Sequence, residues 1–119
     1  DGGIKFPPAA TGKRKVVITG FDPFSLTDKS DDVLYSNPSG LLALRFGENL
    51  FDKNDPESVF IKSAIFPVRY EDFDNGIVEK AITPNLSSIA MLITMSENGS
   101  LAYYDLERWA ARFRYHEQD

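Results

Sequence analysis

The chain has 119 residues, 13 Lys and Arg against 18 Asp and Glu, a formal charge of −5, 42% hydrophobic residues and no cysteine. That length is one domain's worth, and an aromatic content of 13% supplies core material, which argues against wholesale disorder. The acidic balance lacks the clustered cations that a phosphate backbone requires, so nucleic acid is not an expected partner; without thiols the chain has no disulfide, no thiolate zinc site and no cysteine nucleophile of its own.

Residues 1–14 contain Gly2, Gly3, Pro7, Pro8 and Gly12 with little apolar periodicity, and read as a flexible N-terminal arm. The start, Asp1-Gly2-Gly3, has no initiator Met and no basic-then-apolar leader pattern, as expected of a processed or trimmed end. Lys15-Val16-Val17-Ile18-Thr19-Gly20 reads as a short, fully buried strand, followed by a long loop to Ser36. At Asn37-Pro38 a helix begins, since Asn accepts from the free N–H groups of a first turn and Pro suits its first position. Leu41, Leu42, Leu44, Phe46 and Leu50 are its expected apolar face.

Asp52 to Pro56 reads as a polar turn, and Ser58 to Phe66 as a second strand. Phe73, Ile77, Val78, Ala81 and Ile82 recur at helical spacing behind Glu71-Asp72, which predicts a single helix closed by Pro84. Ile89 to Met95 shows no alternation and reads as a strand covered on both faces. That run is far shorter than the roughly 20 residues of a membrane-spanning helix, so no membrane partner is expected. The last segment fits a helix through Leu106, Trp109, Ala110 and Phe113, and fits a strand through Tyr103, Asp105, Glu107 and Trp109. Strands alternating with helices predict an α/β fold over residues 15–119.

In such sheets ligands gather at the carboxyl ends of the strands, which directs attention to Gly20-Phe21-Asp22-Pro23-Phe24 and to Ser96-Glu97-Asn98-Gly99-Ser100. Phe21 and Phe24 flank a turn, where two rings either form an apolar slot for a small flat ligand or simply cap the core. Ser96 to Ser100 has one glycine and no lysine, unlike a phosphate cradle, and Asp52 to Glu57 has proline where a calcium loop turns on glycine. No metal or cofactor is expected. Glu107 sits between Leu106 and Trp109, where it either orients a histidine or pairs with Arg108 at the surface, and His116 reads as a solvent-facing terminal residue.

Lys15 through Phe24, with its Gly-Phe-Asp-Pro-Phe turn, resembles the opening strand of the pyroglutamyl peptidases, the pyrrolidone-carboxylate family of thiol proteases. The resemblance continues in the same order through Asn37-Pro38-Ser39, Phe66-Pro67-Val68 and Leu106-Glu107-Arg108-Trp109-Ala110. It implies a three-layer α/β/α sandwich of the phosphorylase/hydrolase-like kind, of which this chain would be the N-terminal half, and a strand for the segment bearing Glu107. It implies cytoplasmic removal of N-terminal pyroglutamate from peptides, with Phe21 and Phe24 lining the pyrrolidone pocket and Glu107 orienting the catalytic imidazole.

The family's Cys and His lie in its C-terminal half, so the expected partners are the C-terminal segment of the same protein that carries them, a peptide with N-terminal pyroglutamate, and further copies in a homo-oligomer. Ser25-Leu26 replaces the family's glycine pair, and Glu97 falls near where the family has a substrate-holding Gln. These departures support an alternative expectation: a divergent, non-catalytic α/β binding module of the same fold that recognises a peptide end or a protein partner.

Overall fold

The computed structural model describes residues 3–23, 37–47 and 59–97. Within them lie β1 (Arg14–Phe21), α1 (Pro38–Gly47), β2 (Val59–Phe66), α2 (Tyr70–Asp74), α3 (Ile77–Ile82) and β3 (Met91–Thr94). The strands form one parallel sheet in the order β2-β1-β3, so the fold is α/β with a central β1. The alternation that sequence reading expected is present, and each parallel connection carries helix as it returns the chain to the same end of the sheet.

β1 is where the β-branched run resides. Val16, Val17, Ile18, Thr19 and Gly20 are all buried, because the strand has a neighbour on each side and helices above and below. Burial of each of these aliphatic side chains contributes about 1.5–3 kcal/mol. Val16 and Ile18 face Ala43, Ile61 and the half-buried Phe46, forming the core under α1. Phe21 shares the opposite core with Phe66, Phe73, Ala81 and Ile82. Thus α1 covers one face and α3 the other, as right-handed crossovers require when β1 to β2 and β2 to β3 run in opposite directions across the sheet.

Three expectations are corrected. The first concerns α1, whose buried side consists of Ser39, Gly40 and Ala43, while Leu41 and Leu44 are exposed. Small residues win because the helix lies against the β1 backbone: a Cβ on Gly20 would meet the carbonyl oxygen of Ser39, and one on Gly40 the carbonyl oxygen of Phe21. A leucine side chain has no room there.

The second correction splits the predicted single helix at Asn75-Gly76. Asn75 closes α2 by donating its N–H to the carbonyl of Glu71 (2.9 Å), and Gly76 takes φ 72°, the left-handed conformation that ends helices. After α3 the chain passes through a 3-10 turn, Thr83–Asn85, where Pro84 interrupts the α pattern.

The third concerns β3. Expected to be covered on both faces, it is exposed along all four residues and pairs, among the described residues, with β1 alone. The two-sided burial belongs to β1, the middle strand. The expected N-terminal arm is held down from Gly3 onward: Pro8–Ala10 form a 3-10 turn with Ala10 fully buried, and Ile4 donates its N–H to the carbonyl of Ala81 at 3.0 Å. Among the described residues, no helix is long and apolar enough to cross a membrane.

Candidate functional site

The strand order places a topological switch at β1: its chain leaves toward α1 and β2 on one side, while β3 lies on the other. At such a point the two connections diverge and leave a crevice outside the carboxyl ends of the strands, where α/β folds bind ligands. The residues there are Phe21 at the end of β1, Asp22 and Pro23 beyond it, and Ser96 and Glu97 beyond β3. Glu97 is half-buried.

A web of hydrogen bonds shapes the turn after β1. Asn37, buried just ahead of α1, accepts from the Ser39 backbone N–H (3.0 Å) and from the Ser39 hydroxyl (2.7 Å). This is the N-terminal cap expected from Asn37-Pro38, made with the second residue of the helix. The Ser39 hydroxyl in turn accepts the N–H of Phe21 at 3.1 Å, and the Asn37 amide donates to the carbonyl of Asp22 at 3.1 Å. The helix cap therefore grips the turn through one N–H and one C=O.

Asp22 ties the same turn to β2. Its backbone N–H donates to the carbonyl of Phe66 at 3.0 Å, and its carboxylate accepts the N–H of Val68 at 2.8 Å. Three stretches far apart in the chain, Gly20-Phe21-Asp22, Asn37-Pro38-Ser39 and Phe66-Pro67-Val68, thus converge on one knot at the edge of the site. A carboxylate held by a backbone donor is a charge-assisted bond, stronger than its neutral counterpart. Sequence reading found Asn37 as a cap but not this bond; an Asp between two aromatic residues at a strand end was the available signal.

Phe21 is half-buried, its ring 6.0 Å from that of Phe73 and tilted 34° to it, and Phe73 stands edge-on to Phe66 at 6.3 Å. One flank of Phe21 therefore caps the core beneath α3 and α2. Of the other expected site residues, Phe24 and Glu107 lie outside the described residues, as do His116, Asp52 to Glu57 and the final segment. Among the described residues, no three His, Cys, Asp or Glu side chains are grouped to hold a metal ion.

Compared with known proteins, residues 15–118 match the family described as PA0049, C-terminal domain. The chain is 31% identical over 114 residues to a protein of Pseudomonas aeruginosa, Uncharacterized protein PA0049, in a match that takes in 88% of this chain and 20% of the relative. The chain thus spans about a fifth of the length of that relative. No solved structure matches it significantly.

Proposed function

We propose that this chain, which belongs to the PA0049 C-terminal domain family, is the N-terminal part of a pyroglutamyl-peptidase-like α/β/α sandwich that removes N-terminal pyroglutamate once joined by a segment bearing a cysteine and a histidine. The observation that carries this reading is the knot. The first three stretches through which the sequence resembles the peptidases are the ones that hydrogen-bond to one another around Phe21 and Asp22. Strand pairing brings Phe21 beside Phe66, and the Asn37-Ser39 cap and the Asp22 carboxylate then tie the three stretches into what would be one pocket rim.

In this reading the knot fixes the turn so that Phe21 presents a ring face to the flat, neutral lactam, and the resemblance assigns Phe24 to the same pocket. The joining segment supplies the thiolate that attacks the pyroglutamyl carbonyl and the imidazole that passes the proton to the leaving amine. Glu107 orients that imidazole and stabilises its charged form. The site acts in the cytoplasm, where a thiol stays reduced.

Glu97 favours a second reading, because a neutral lactam offers a half-buried carboxylate beyond the carboxyl end of β3 no charge to pair with. A non-catalytic domain that holds the charged end of a peptide would use it.

The two readings separate in one assay. A polypeptide comprising this chain and the segment with Cys and His should release the dye from pyroglutamyl-aminomethylcoumarin, lose that activity to iodoacetamide, and lose about 10³–10⁴-fold in turnover on Glu107→Gln with its fold intact. A folded protein that binds pyroglutamyl or free-amine peptides without turnover would establish the second reading and end the first.

A further inference from the structure

The arm makes contacts that resemble a bound peptide more than a loop. Ile4 has both backbone groups read: its N–H donates to the carbonyl of Ala81, and its carbonyl accepts from the Asn85 side-chain amide. Its side chain packs on the core of Phe66, Ala81 and Ile82. Two residues on, Phe6 meets Phe60 edge-on at 6.2 Å, with the Lys15 ammonium 5.3 Å from its ring centre. Lys5, Pro7, Pro8 and Ala9 point to solvent.

Alternate side chains anchored and backbone groups satisfied by the receptor are how proteins read extended ligands. Beside the arm lies a cavity lined by Ala64 and Phe66 of β2, by Ile77 and Ala81 of α3 and by Gly3 to Phe6 themselves, so the arm forms one wall of a groove between β2 and α3. The β2 and α3 walls lie within residues 15–118, the stretch shared with the family, whereas Ile4 and Phe6 of the arm precede it. Receptor and ligand are thus separate in sequence. Between them runs a turn at Thr11-Gly12 in which Gly12 takes φ 77°, a conformation that lets the chain fold back sharply.

We propose that the groove between β2 and α3 is a docking site for an extended peptide of the pattern aliphatic-x-aromatic, and that the chain's own arm is a releasable strap seated on its anchor points. The arm wins in cis because its tether gives it a high local concentration, and the same sequence offered in trans competes for the same anchors. Nothing in this depends on the peptidase reading, which concerns the carboxyl end of the sheet.

The test uses the full chain. A fluorescent peptide of residues 3–12 should bind the Ile4→Asp, Phe6→Ala double variant at least about tenfold more tightly than the native chain, whose own Ile4 and Phe6 hold the anchor points. A peptide carrying the same two changes should not bind. Equal affinity for both proteins, or no binding to a variant with native circular dichroism, overturns the proposal.

Hydrogen exchange on the native chain decides the matter if the double variant fails to fold. Excess unlabelled peptide should speed exchange of the Ile4 amide and leave the Val17 amide unchanged, because only the strap is displaced. An Ile4 amide that does not respond to the peptide makes the arm a fixed part of the domain.

Discussion

β1 and β3 are neighbours in one sheet, run in the same direction and release their chains at the same end of it, yet they differ in burial and in how their outgoing chains are held. β1 has its side chains buried on both faces and its outgoing turn gripped by α1 and by the chain after β2. In β3, Met91 and Ile93 are open on the α1 side and Leu92 on the α3 side. The difference teaches that the described residues build one wall of the switch-point crevice to the standard of a preorganised site, and leave the other wall uncovered. A site that must hold a ligand within a fraction of an ångström needs both.

The largest effect should come from breaking the β1 side at its tightest contact. In Gly20→Ala the added methyl meets the backbone of Ser39 and Gly40, which cannot rotate away as a side chain would. We expect about 3 kcal/mol or more of destabilisation, read as a loss of the cooperative urea transition. A variant that melts within about 2 °C of the parent would mean that α1 does not rest on β1 in this way. Next comes Asn37→Ala, which deprives the Ser39 N–H and the Asp22 carbonyl of their partners in a buried setting. The expected loss is about 2 kcal/mol by denaturant titration, with Asn37→Asp recovering part of it by restoring the cap. Equal loss in both variants would show that the amide's grip on Asp22, and not the cap, dominates.

How far this contrast was legible in the sequence depends on what kind of signal each part carries. β1 and the start of α1 were readable because a β-branched run and an Asn-Pro pair are local, and the local preference agrees with the fold. The leucines of α1 misled because periodicity marks an apolar face without saying how closely a helix approaches its sheet; Gly40, Ala43 and Gly47 marked that approach and were outweighed by bulk. The Asn75-Gly76 break was hidden inside a helical period that continues on either side of it. β3 misled most: an unbroken apolar run is the same whether a strand is central or at an edge, and only the pairing partners decide. At the site, the resemblance ran through Phe21, Asp22, Asn37, Ser39 and Val68, but the bond from Val68 to the Asp22 carboxylate spans 46 positions, and no local pattern pairs the two.

The smallest effect tests the exposed side. Met91 is 56% exposed, so Met91→Thr, which keeps a residue suited to strands, should change the stability of this chain by no more than about 0.5 kcal/mol. In the longer polypeptide proposed here, a segment that completes the crevice would cover β3, and the same substitution would then cost roughly 2 kcal/mol, because it removes buried volume and leaves a hydroxyl in apolar surroundings. The comparison of the two values is more informative than either alone. A small effect in both proteins would mean that β3 stays bare when the chain is joined, and the uncovered wall would then have to be completed by a bound partner, as in the binding-module reading.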